Sequence, residues 1–259
     1  MKNLSLRTVT VMRYILPLRE GGSLPALAEA DDDFKYVIKF RGAGHGVKML
    51  ISELLGGMIA SKLELQIPEL VFANLDVDFG RMEADEEIQD LLKFSEGLNL
   101  GLHFLSGAIA YDSSIKIDAV LASKIVWLDA FITNIDRTFK NTNLMMWHKE
   151  LWVIDNGASF YFHHSWQNFD AAAKTPFKYV KDHVLLSQAT QLREADLFAK
   201  EHLNDEFFRN LVDLIPDEWL QWNDTDETPD EIRQVYFQFM KTRLANSEIF
   251  LNEAENARR

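Results

Sequence analysis

The polar side chains that suit metal-assisted phosphoryl transfer are concentrated in residues 134–157 of this 259-residue chain. Asp136 is followed five positions later by Asn141, and an Asp155-Asn156-Gly157 triplet comes after an intervening apolar stretch. Phosphoryl transfer requires a carboxylate that orients or deprotonates the nucleophile, and hard oxygen ligands that hold Mg²⁺. We therefore predict that Asp136 acts as the base and that Asn141 and Asp155 bind Mg²⁺.

A predicted β-hairpin connects these residues. The apolar runs 144–147 and 151–154 are separated by His148-Lys149-Glu150, which is typical of two strands and their turn. The hairpin would bring Asn141 and Asp155 back to the same end. The alternative is a polar loop in which Asp and Asn side chains only cap turns. Each residue alone favours that alternative, whereas the combined spacing favours a catalytic site.

The spacing also carries a resemblance to known kinases. Asp136-x-x-x-x-Asn141 matches the protein-kinase catalytic loop, and Asp155 begins a triplet that stands where those kinases carry Asp-Phe-Gly. The pattern from Asn134 through Asp136-Arg137 to Asn141, without a preceding His-Arg, more closely resembles the HipA-like kinases of bacterial toxin–antitoxin systems. It is also similar to the lipid-kinase-like branch of the superfamily. The resemblance implies that Arg137 belongs with the catalytic residues.

The resemblance extends over about residues 13–166 and implies an α+β, two-lobed, protein-kinase-like fold that uses ATP and Mg²⁺. We expect a β-rich N-terminal lobe over residues 1–105 and a mainly helical C-terminal lobe over residues 106–259. Eleven of the twelve glycines lie at or before Gly107. Because glycine favours tight turns, this distribution agrees with strands and turns first and helices afterwards.

A strand lysine and a helix glutamate are further parts of the implied site, since the lysine pairs with the nucleotide phosphates and the glutamate holds it. Lys39, within the apolar run 36–40, matches the lysine. Glu53, in a predicted helix over residues 47–65, matches the glutamate. The alternatives are a strand-edge lysine that discourages aggregation and a glutamate on a solvated helix face.

The phosphate-binding loop is expected at Gly21, Gly22 and Ser23, one strand before Lys39, because successive amides of a glycine turn can bind anions. The second glycine cluster, residues 42–46, is interpreted as a connection from strand to helix that could close over the phosphates. An ordinary turn is the alternative for both clusters. In related toxin kinases a serine of the phosphate loop is autophosphorylated, which switches the enzyme off, and Ser23 is a candidate for the same modification.

The adenine is expected against the segment 100–105, which would link the lobes. Leu102, His103 and Phe104 are the predicted nucleotide-binding residues there, with backbone groups that recognise the base. An ordinary buried strand is the alternative, given the apolar content of the segment.

Periodicity predicts the other elements. We expect strands at 8–16, 36–40 and 70–75, and helices at 47–65, 85–94 and 118–133. Asp118 is the predicted N-cap of the last of these helices. From about Phe177 onward we expect mostly helix, with a helix start at residues 228–231.

Composition excludes several classes of protein. The formal net charge of −13 argues against nucleic acid as the main partner. No apolar run reaches the roughly 20 residues of a membrane span. The chain has no cysteine, which excludes disulfides and thiolate metal sites and suits a cytoplasmic protein. His163 and His164 are adjacent without a zinc motif, and we interpret them as partly exposed loop residues, with substrate contact as the alternative.

The preferred function is an ATP- and Mg²⁺-dependent serine/threonine protein kinase of HipA-like type. The alternatives are a small-molecule or lipid kinase on the same fold, and a nucleotide-binding pseudokinase that serves as an interaction module. The expected partners are ATP, an unidentified protein or small-molecule phosphoacceptor, and an antitoxin-like regulator. Thr138 stands where longer toxin kinases carry His, and Asn156 replaces the Phe of protein kinases. The chain lacks the N-terminal segment of the longer kinases, so we expect a stand-alone kinase core.

Overall fold

The computed structural model describes residues 4–18, 24–44, 46–77, 79, 85–222 and 225–259. It is a mixed α+β structure. Its first part is a five-stranded sheet that closes on itself in the order β1-β2-β3-β5-β4. The strands are β1 (Thr8–Pro17), β2 (Ala26–Ala30), β3 (Lys35–Lys39), β4 (Leu70–Leu75) and β5 (Gly97–His103).

The register of β5 fixes the position of Lys39. β5 lies between β3 and β4 and is antiparallel to both, with Lys39 opposite Leu100. β1 closes the sheet against β4 in parallel, with Thr8 opposite Phe72. The side chains that face the inside of the closed sheet are buried and mainly β-branched or small, which suits a tightly curved sheet. Members of this cluster include Val9, Val11, Ala28, Ile38, Val71 and Ala73.

Helix α1 (Gly46–Lys62) is buried on nearly every side, and α2 (Glu86–Phe94) precedes β5. α1 begins at Gly46, whose φ of +59° is accessible mainly to glycine. A helix that is apolar all round belongs in a core rather than at a surface. Leu50, Leu54 and Leu55 accordingly join a large core cluster shared with the helices that follow. This burial also carries Glu53 into the interior, at 1% exposure.

A second, smaller sheet follows, in the order β6-β7-β8, with strands β6 (Ile109–Ala110), β7 (Leu144–Trp147) and β8 (Glu150–Val153). β7 and β8 form the predicted hairpin. The two turn residues, His148 and Lys149, both have positive φ, which matches the twist that a two-residue hairpin turn requires.

The remaining elements are mainly helices. The long helices α3, α5, α6, α7 and α8 enclose an aromatic core in which Trp127 stacks on Phe131 and Phe131 stacks on Phe208. The Asp118 side chain caps α3 by accepting bonds from the amides of Val120 and Leu121, as predicted. The bounds are α3 (Ala119–Ile132), α4 (Phe169–Ala173), α5 (Leu192–His202), α6 (Asp205–Val212), α7 (Pro229–Ala245) and α8 (Ser247–Arg258).

One strand was not predicted. Nothing in the residue pattern indicates β2, because its Ala-Leu-Ala-Glu-Ala residues favour helix, and pairing with β1 and β3 overrides that preference. From Phe177 onward the chain is mostly helical, as expected, although short 3₁₀ turns at Lys178–Asp182 and Leu186–Gln188 come before α5. The helix start near Thr228 is confirmed, with a capping box to Glu231. Within the described part of the chain, no helix combines the length and apolarity needed to cross a bilayer.

Arg243 of α7 holds several chain segments together from a fully buried position. Its guanidinium donates to the carbonyl of Ala130 at 2.6 Å, to that of Ala173 at 3.1 Å and to that of Thr175 at 3.2 Å. Among the described residues no carboxylate pairs with it, and burial lowers the pKa of Arg243 to about 9. Its hydrogen bonds to carbonyls therefore offset a substantial desolvation cost.

Replacing Arg243 by Met is expected to lower the free energy of unfolding by about 2–4 kcal/mol. The buried carbonyls lose their donors, and this loss outweighs the desolvation cost that is removed together with the charge. Urea unfolding at neutral pH measures this difference. Arg209→Met is the matched control, since Arg209 is exposed and its guanidinium lies 4.4 Å from the centre of the Phe237 ring, and its effect should stay within about 1 kcal/mol. Equal effects of the two substitutions would contradict the structural role of Arg243.

Candidate functional site

The polar segment after α3 is shaped by a left-handed residue and by backbone bonds to distant parts of the chain. α3 ends at Thr133, which has a φ of 57°. The amide of Ile135 then donates to the carbonyl of Ala158, and the amide of Ile154 donates to that of Asn143 at 3.1 Å. These bonds place the start of the polar segment beside residue 158 and its end beside the end of β8. The hairpin therefore brings Asn141 and Asp155 to the same region, as expected.

Asp136 is half-buried and receives side-chain amides from its own loop. Asn141 Nδ2 donates to Asp136 Oδ2 at 2.7 Å, and Asn143 Nδ2 donates to the same oxygen at 3.1 Å. The Asp136 amide in turn donates to Asn134 Oδ1 at 3.1 Å. Within the described residues, no side chain is bonded to Asp136 Oδ1. The carboxylate is thus fixed through Oδ2. Its Oδ1 atom is available to accept a hydrogen bond from a hydroxyl group, or a proton.

Lys39 lies between two carboxylates. Its Nζ atom is 2.9 Å from Asp155 Oδ1 and 3.9 Å from Glu53 Oε2. Lys39 is 4% exposed, so its ammonium group has exchanged water for these two partners. Asp155 has a φ of 54°, a left-handed conformation that turns the chain sharply at the end of the hairpin.

The burial of this group shifts its proton affinities. Burial would lower the pKa of Lys39, but the charges of Asp155 and Glu53 offset this and raise it above its usual value. Burial would raise the pKa of Asp155, but the Lys39 ammonium outweighs this effect and lowers the pKa below its usual value. The Asp155 side chain is also 39% exposed. Burial raises the pKa of Glu53 to about 7 in spite of the nearby Lys39. Lys39 and Asp155 are therefore charged near neutral pH, while Glu53 is close to its midpoint.

Close contact between α1 and the Asp155-Asn156-Gly157 triplet sets the position of Glu53. Its Oε2 atom accepts the amide of Asn156 at 2.9 Å. A Cβ atom at Gly56 would lie 2.7 Å from that of Asn156, and one at Gly157 would lie 2.9 Å from Met49 Cγ. Glycine at both positions lets the helix approach near enough for the Glu53 bond to form.

Asp129, near the end of α3, is the centre of a fully buried polar network. Its Oδ2 atom accepts Arg137 Nε at 2.6 Å and His183 Nε2 at 2.8 Å, and its Oδ1 atom accepts Asn134 Nδ2 at 3.0 Å. His183 Nδ1 accepts the amide of Leu185, so Nε2 carries the hydrogen. Burial would raise the pKa of Asp129, but the Arg137 charge and the His183 bond lower it.

Arg137 extends this network toward the predicted metal-binding segment. It donates through Nη2 to Asn156 Oδ1 at 2.9 Å and through Nη1 to the carbonyls of Ile154, at 2.9 Å, and Asn143. Only 1% of Arg137 is exposed. Its guanidinium is therefore engaged with protein groups, and in this arrangement it holds the loop in place rather than facing a substrate. The expectation that Arg137 is catalytic stays a prediction.

A cavity of about 720 Å³ opens beside these residues. Lys39, Asn141 and Asp155 line it together with the predicted Leu102, His103 and Phe104. The segment 100–105 is mainly the buried strand that was its alternative interpretation. The amide of His103 donates to the carbonyl of Glu69 and that of Phe104 donates to Lys35. These two amides are therefore engaged within the protein and cannot also recognise a base.

The predicted phosphate-binding residues Gly21, Gly22 and Ser23 lie outside the described residues, as does His45 of the second glycine cluster. The described part of that cluster forms a turn between β3 and α1, which agrees with its interpretation as a connection.

His163 differs from its expected exposure. It is 2% exposed, and its Nδ1 atom lies 3.0 Å from the Tyr236 hydroxyl, so it belongs to the core. Burial lowers the pKa of His163 well below its usual value, which keeps the imidazole neutral. His164 is exposed and its ring lies 5.2 Å from that of Tyr161.

Sequence reasoning missed Asp129, Asn143 and His183. A signal existed for Asp129, because a charged residue inside the apolar stripe of α3 requires a buried partner. No local pattern marks His183, which lies more than 50 positions from Asp129 in the sequence. Only the folded chain shows that the two residues meet.

The donor set for a metal is small. In the described portion of the chain, no group of three or more His, Asp and Glu side chains could hold a metal ion. Asn141 and Asp155 remain as oxygen donors on the same cavity wall. Because the Asn141 NH₂ group bonds to Asp136, its amide oxygen is directed elsewhere. A carboxylate and an amide oxygen suit Mg²⁺, which keeps several waters and uses substrate phosphates as further ligands.

The chain is similar to known proteins over most of its length. The family model described as HipA-like kinase matches residues 11–250. Among solved structures, the chain is similar to the proinflammatory kinase CtkA of Helicobacter pylori, with a TM-score of 0.57 and 12% sequence identity. The likeness covers 97% of this chain and 98% of that chain and shows a shared fold. A comparison of the sequence with curated proteins gives no match.

Replacing Asp129 by Asn is expected to lower the free energy of unfolding by about 3–5 kcal/mol, because Arg137 would keep its charge in the interior without a counter-ion. Urea unfolding followed by tryptophan fluorescence measures this. Asp118→Asn is the matched control on the same helix, since Asn also caps a helix, and its effect should stay within about 0.5 kcal/mol. A loss below about 1 kcal/mol for Asp129→Asn would show that the network does not stabilise the fold.

Replacing Glu53 by Gln should change how stability depends on pH. The folded protein retains the Glu53 proton to about pH 7, whereas the unfolded chain releases it near 4.5. Between these values the unfolded state binds fewer protons, so this group lowers the free energy of unfolding as the pH rises. Gln preserves the acceptor for Asn156 without titrating.

We therefore expect the free energy of unfolding of Glu53→Gln, relative to wild type, to increase by about 1–3 kcal/mol from pH 5 to pH 8. Urea unfolding at both pH values measures the change. Glu86→Gln, at an exposed position in the first turn of α2, is the control and should differ by less than about 0.5 kcal/mol at either pH. A pH-independent difference for Glu53→Gln would mean that Glu53 ionises normally in the folded protein.

Proposed function

The chain belongs to the HipA-like kinase family, and from this we propose that it is an ATP- and Mg²⁺-dependent phosphotransferase, most specifically a serine/threonine protein kinase. One observation carries the proposal: candidate residues from separate parts of the sequence come together at and beside one cavity. Lys39, Asn141 and Asp155 line it. Glu53 lies 3.9 Å from Lys39, and Asp136 accepts a hydrogen bond from Asn141.

Lys39 is proposed to hold the nucleotide phosphates. Its raised pKa keeps the ammonium group charged, and its contacts with Asp155 and Glu53 aim it at the cavity wall. A charged group that is already desolvated loses little on meeting a phosphate, so its electrostatic contribution is large. Arg137 is proposed as a positioning residue. Its bonds to Asn156 and to the carbonyl of Ile154 would fix the position of Asp155 relative to the loop that carries Asp136.

Asp136 is proposed as the base. In the transfer, the acceptor hydroxyl oxygen bonds to the γ-phosphorus, the bond to the bridging oxygen of ADP breaks, and the hydroxyl proton passes to Asp136. The bonds from Asn141 and Asn143 fix the carboxylate through Oδ2. Asp136 Oδ1 is the atom proposed to receive the proton, since those two bonds leave it available.

The proposed ligands of Mg²⁺ are the amide oxygen of Asn141 and the carboxylate of Asp155. When bound, Mg²⁺ would offset the negative charge of the phosphates as the transfer proceeds. Asp155 favours this role because its lowered pKa keeps it ionised. Asn141 favours it because its NH₂ group bonds to Asp136, which directs the oxygen away from that carboxylate.

The nucleotide is proposed to lie across the two parts of the fold. Leu102, His103 and Phe104 would border the adenine, with the base recognised by groups other than the amides of His103 and Phe104. Gly21, Gly22 and Ser23 remain the proposed phosphate loop, and Ser23 the proposed autophosphorylation site. A division into lobes at about residue 105, as in protein kinases, belongs to the same proposal, because the closed sheet ends there.

A hydroxyl of a protein is the proposed acceptor, and a small molecule or lipid is the second candidate on the same fold. An antitoxin-like regulator is proposed on the basis of the family. A cytoplasmic location is proposed on the basis of the cysteine-free sequence. A pseudokinase is disfavoured, because a chain that only binds nucleotide has no need for Asp136 and Asn141 in bonding contact beside Lys39 and Asp155.

Turnover of γ-labelled ATP with Mg²⁺ tests the proposal. Asp136→Ala is expected to lower transfer by about 100-fold or more while ATP binding persists, because it removes the proton acceptor and not a phosphate contact. Asp155→Asn should abolish transfer and weaken only the Mg²⁺-dependent part of ATP binding, measured by calorimetry with and without the metal.

Asp112→Ala serves as the control, since Asp112 is an exposed turn residue bonded to the amide of Ser114 and should leave turnover unchanged. Full activity of both Asp136→Ala and Asp155→Asn would reject the kinase assignment. Nucleotide binding without any turnover by the wild type, with a broad set of acceptors, would favour the pseudokinase.

A further inference from the structure

Large aromatic side chains are exposed around Asp136. Phe139 is 63% exposed, Tyr161 is 58% exposed and Tyr179 is 63% exposed. Most other aromatic residues of this region, such as Phe160 and Phe162, are buried. Exposed aromatic groups that come together at one place mark interaction sites more often than scattered ones do.

Backbone contacts bring these residues together from separate parts of the chain. Thr138, next to Phe139, forms a bridge with His183, and the amide of Val184 donates to the carbonyl of Arg137 at 3.1 Å. These contacts place His183 and Val184, which directly follow the turn that carries Tyr179, beside the loop that contains Asp136. The amide of Tyr161 donates to Thr133 Oγ1 at 3.3 Å, which places Tyr161 at the start of the same loop.

Three exposed lysines accompany the aromatic residues: Lys140, Lys178 and Lys181. Within the described residues, the side-chain ammonium group of none of these three lysines has an ion-pair or hydrogen-bond partner. Lys174, on the same segment, is instead neutralised by Asp170 at 2.7 Å. Asp182 is the exposed acid beside this group. On a chain of net charge −13, unpaired lysines at the proposed acceptor site are a local reversal of sign.

We infer that this surface, formed by Phe139, Lys140, Tyr161, Lys178, Tyr179 and Lys181, binds an acidic peptide segment that carries an apolar side chain near the phosphoaccepting hydroxyl. The inference rests on the proposed kinase function and narrows its acceptor to a class. The hydroxyl lies at Asp136, the apolar side chain packs on the aromatic rings, and carboxylates a few residues away meet the lysines.

A peptide fits these observations better than other anionic partners. A nucleic acid or an anionic membrane presents an extended negative surface, which the net charge of the whole chain would repel. A peptide presents only a few carboxylates, and they can be spaced to match the lysines, since an extended chain advances about 3.3 Å per residue. Aromatic side chains that stand clear of the fold supply contact area that a small polar acceptor would not use.

Binding of fluorescein-labelled peptides, followed by anisotropy without ATP, tests the inference directly. The probes are a peptide with a central Ser beside Phe and flanking Glu residues, and matched peptides with Lys or Gln flanks. We expect the Glu peptide to bind about tenfold more tightly than the Lys peptide at low salt, and this preference to weaken as salt screens it. Equal binding of the three peptides, or a preference for Lys, would overturn the inference.

Charge-reversal variants assign the preference to this surface. The triple variant Lys140→Glu, Lys178→Glu, Lys181→Glu should lose about tenfold or more in affinity for the Glu peptide and gain affinity for the Lys peptide. The control triple variant Lys93→Glu, Lys116→Glu, Lys149→Glu makes the same change in net charge at exposed positions in other elements. It should keep at least half of the wild-type preference. Equal losses in the two triple variants would show a general charge effect and overturn the inference.

Two further measurements separate the inference from the function on which it rests. ATP hydrolysis without peptide should be unchanged in the control triple variant, because Lys93, Lys116 and Lys149 lie outside both the proposed catalytic set and the proposed peptide-binding surface. Peptide selectivity without ATP turnover would reject the kinase proposal alone, whereas turnover without selectivity would reject the acidic acceptor alone. Binding to phosphatidylserine vesicles but not to the Glu peptide would overturn the inference in favour of a membrane surface.

Discussion

The buried ion pair between Asp129 and Arg137 is the interaction on which the rest of the candidate site depends. Both side chains are removed from water. If one of them is replaced, the remaining charge stays buried without a counter-ion, at a large desolvation cost. The remaining hydrogen bonds of the pair lead to Asn134 and Asn143 in the polar loop, to Asn156 after the hairpin and to His183, so they join three segments. One electrostatic constraint in the core therefore fixes the relative position of the loop, the hairpin end and the segment near residue 183.

A second constraint acts from the other side of the site, through α1. The helix is buried almost completely, and glycines at the closest contacts let it press against the Asp155-Asn156-Gly157 triplet. Burial raises the pKa of Glu53 and would do the same to Asp155, and the Lys39 ammonium is the charge that opposes both effects. Packing of an apolar helix thus determines which carboxylate at the site stays ionised.

The sequence was sufficient for groups whose spacing along the chain is itself the signal. The interval from Asp136 to Asn141, the hairpin and the N-cap at Asp118 are local patterns, and the structure contains each of them in place. It was insufficient where partners are distant or propensity is overridden. His183 contacts Asp129 only because the fold brings the two residues together. β2 is a strand because pairing with β1 and β3 overrides the helix preference of its alanines. The burial of Arg137 and His163 could not be read from spacing either.

The similarity to CtkA shows that this fold is compatible with very different sequences. At 12% identity over 97% of the chain, the two proteins share an arrangement of elements while most side chains differ. An apolar core tolerates such divergence, since volume and patterning can be conserved by many combinations of residues. A buried charge has fewer substitutes, because each partner must be replaced together with the others. In this chain the contacts with the fewest possible substitutes are therefore the buried polar ones, namely the pair of Asp129 with Arg137 and the group of Lys39 with its two carboxylates.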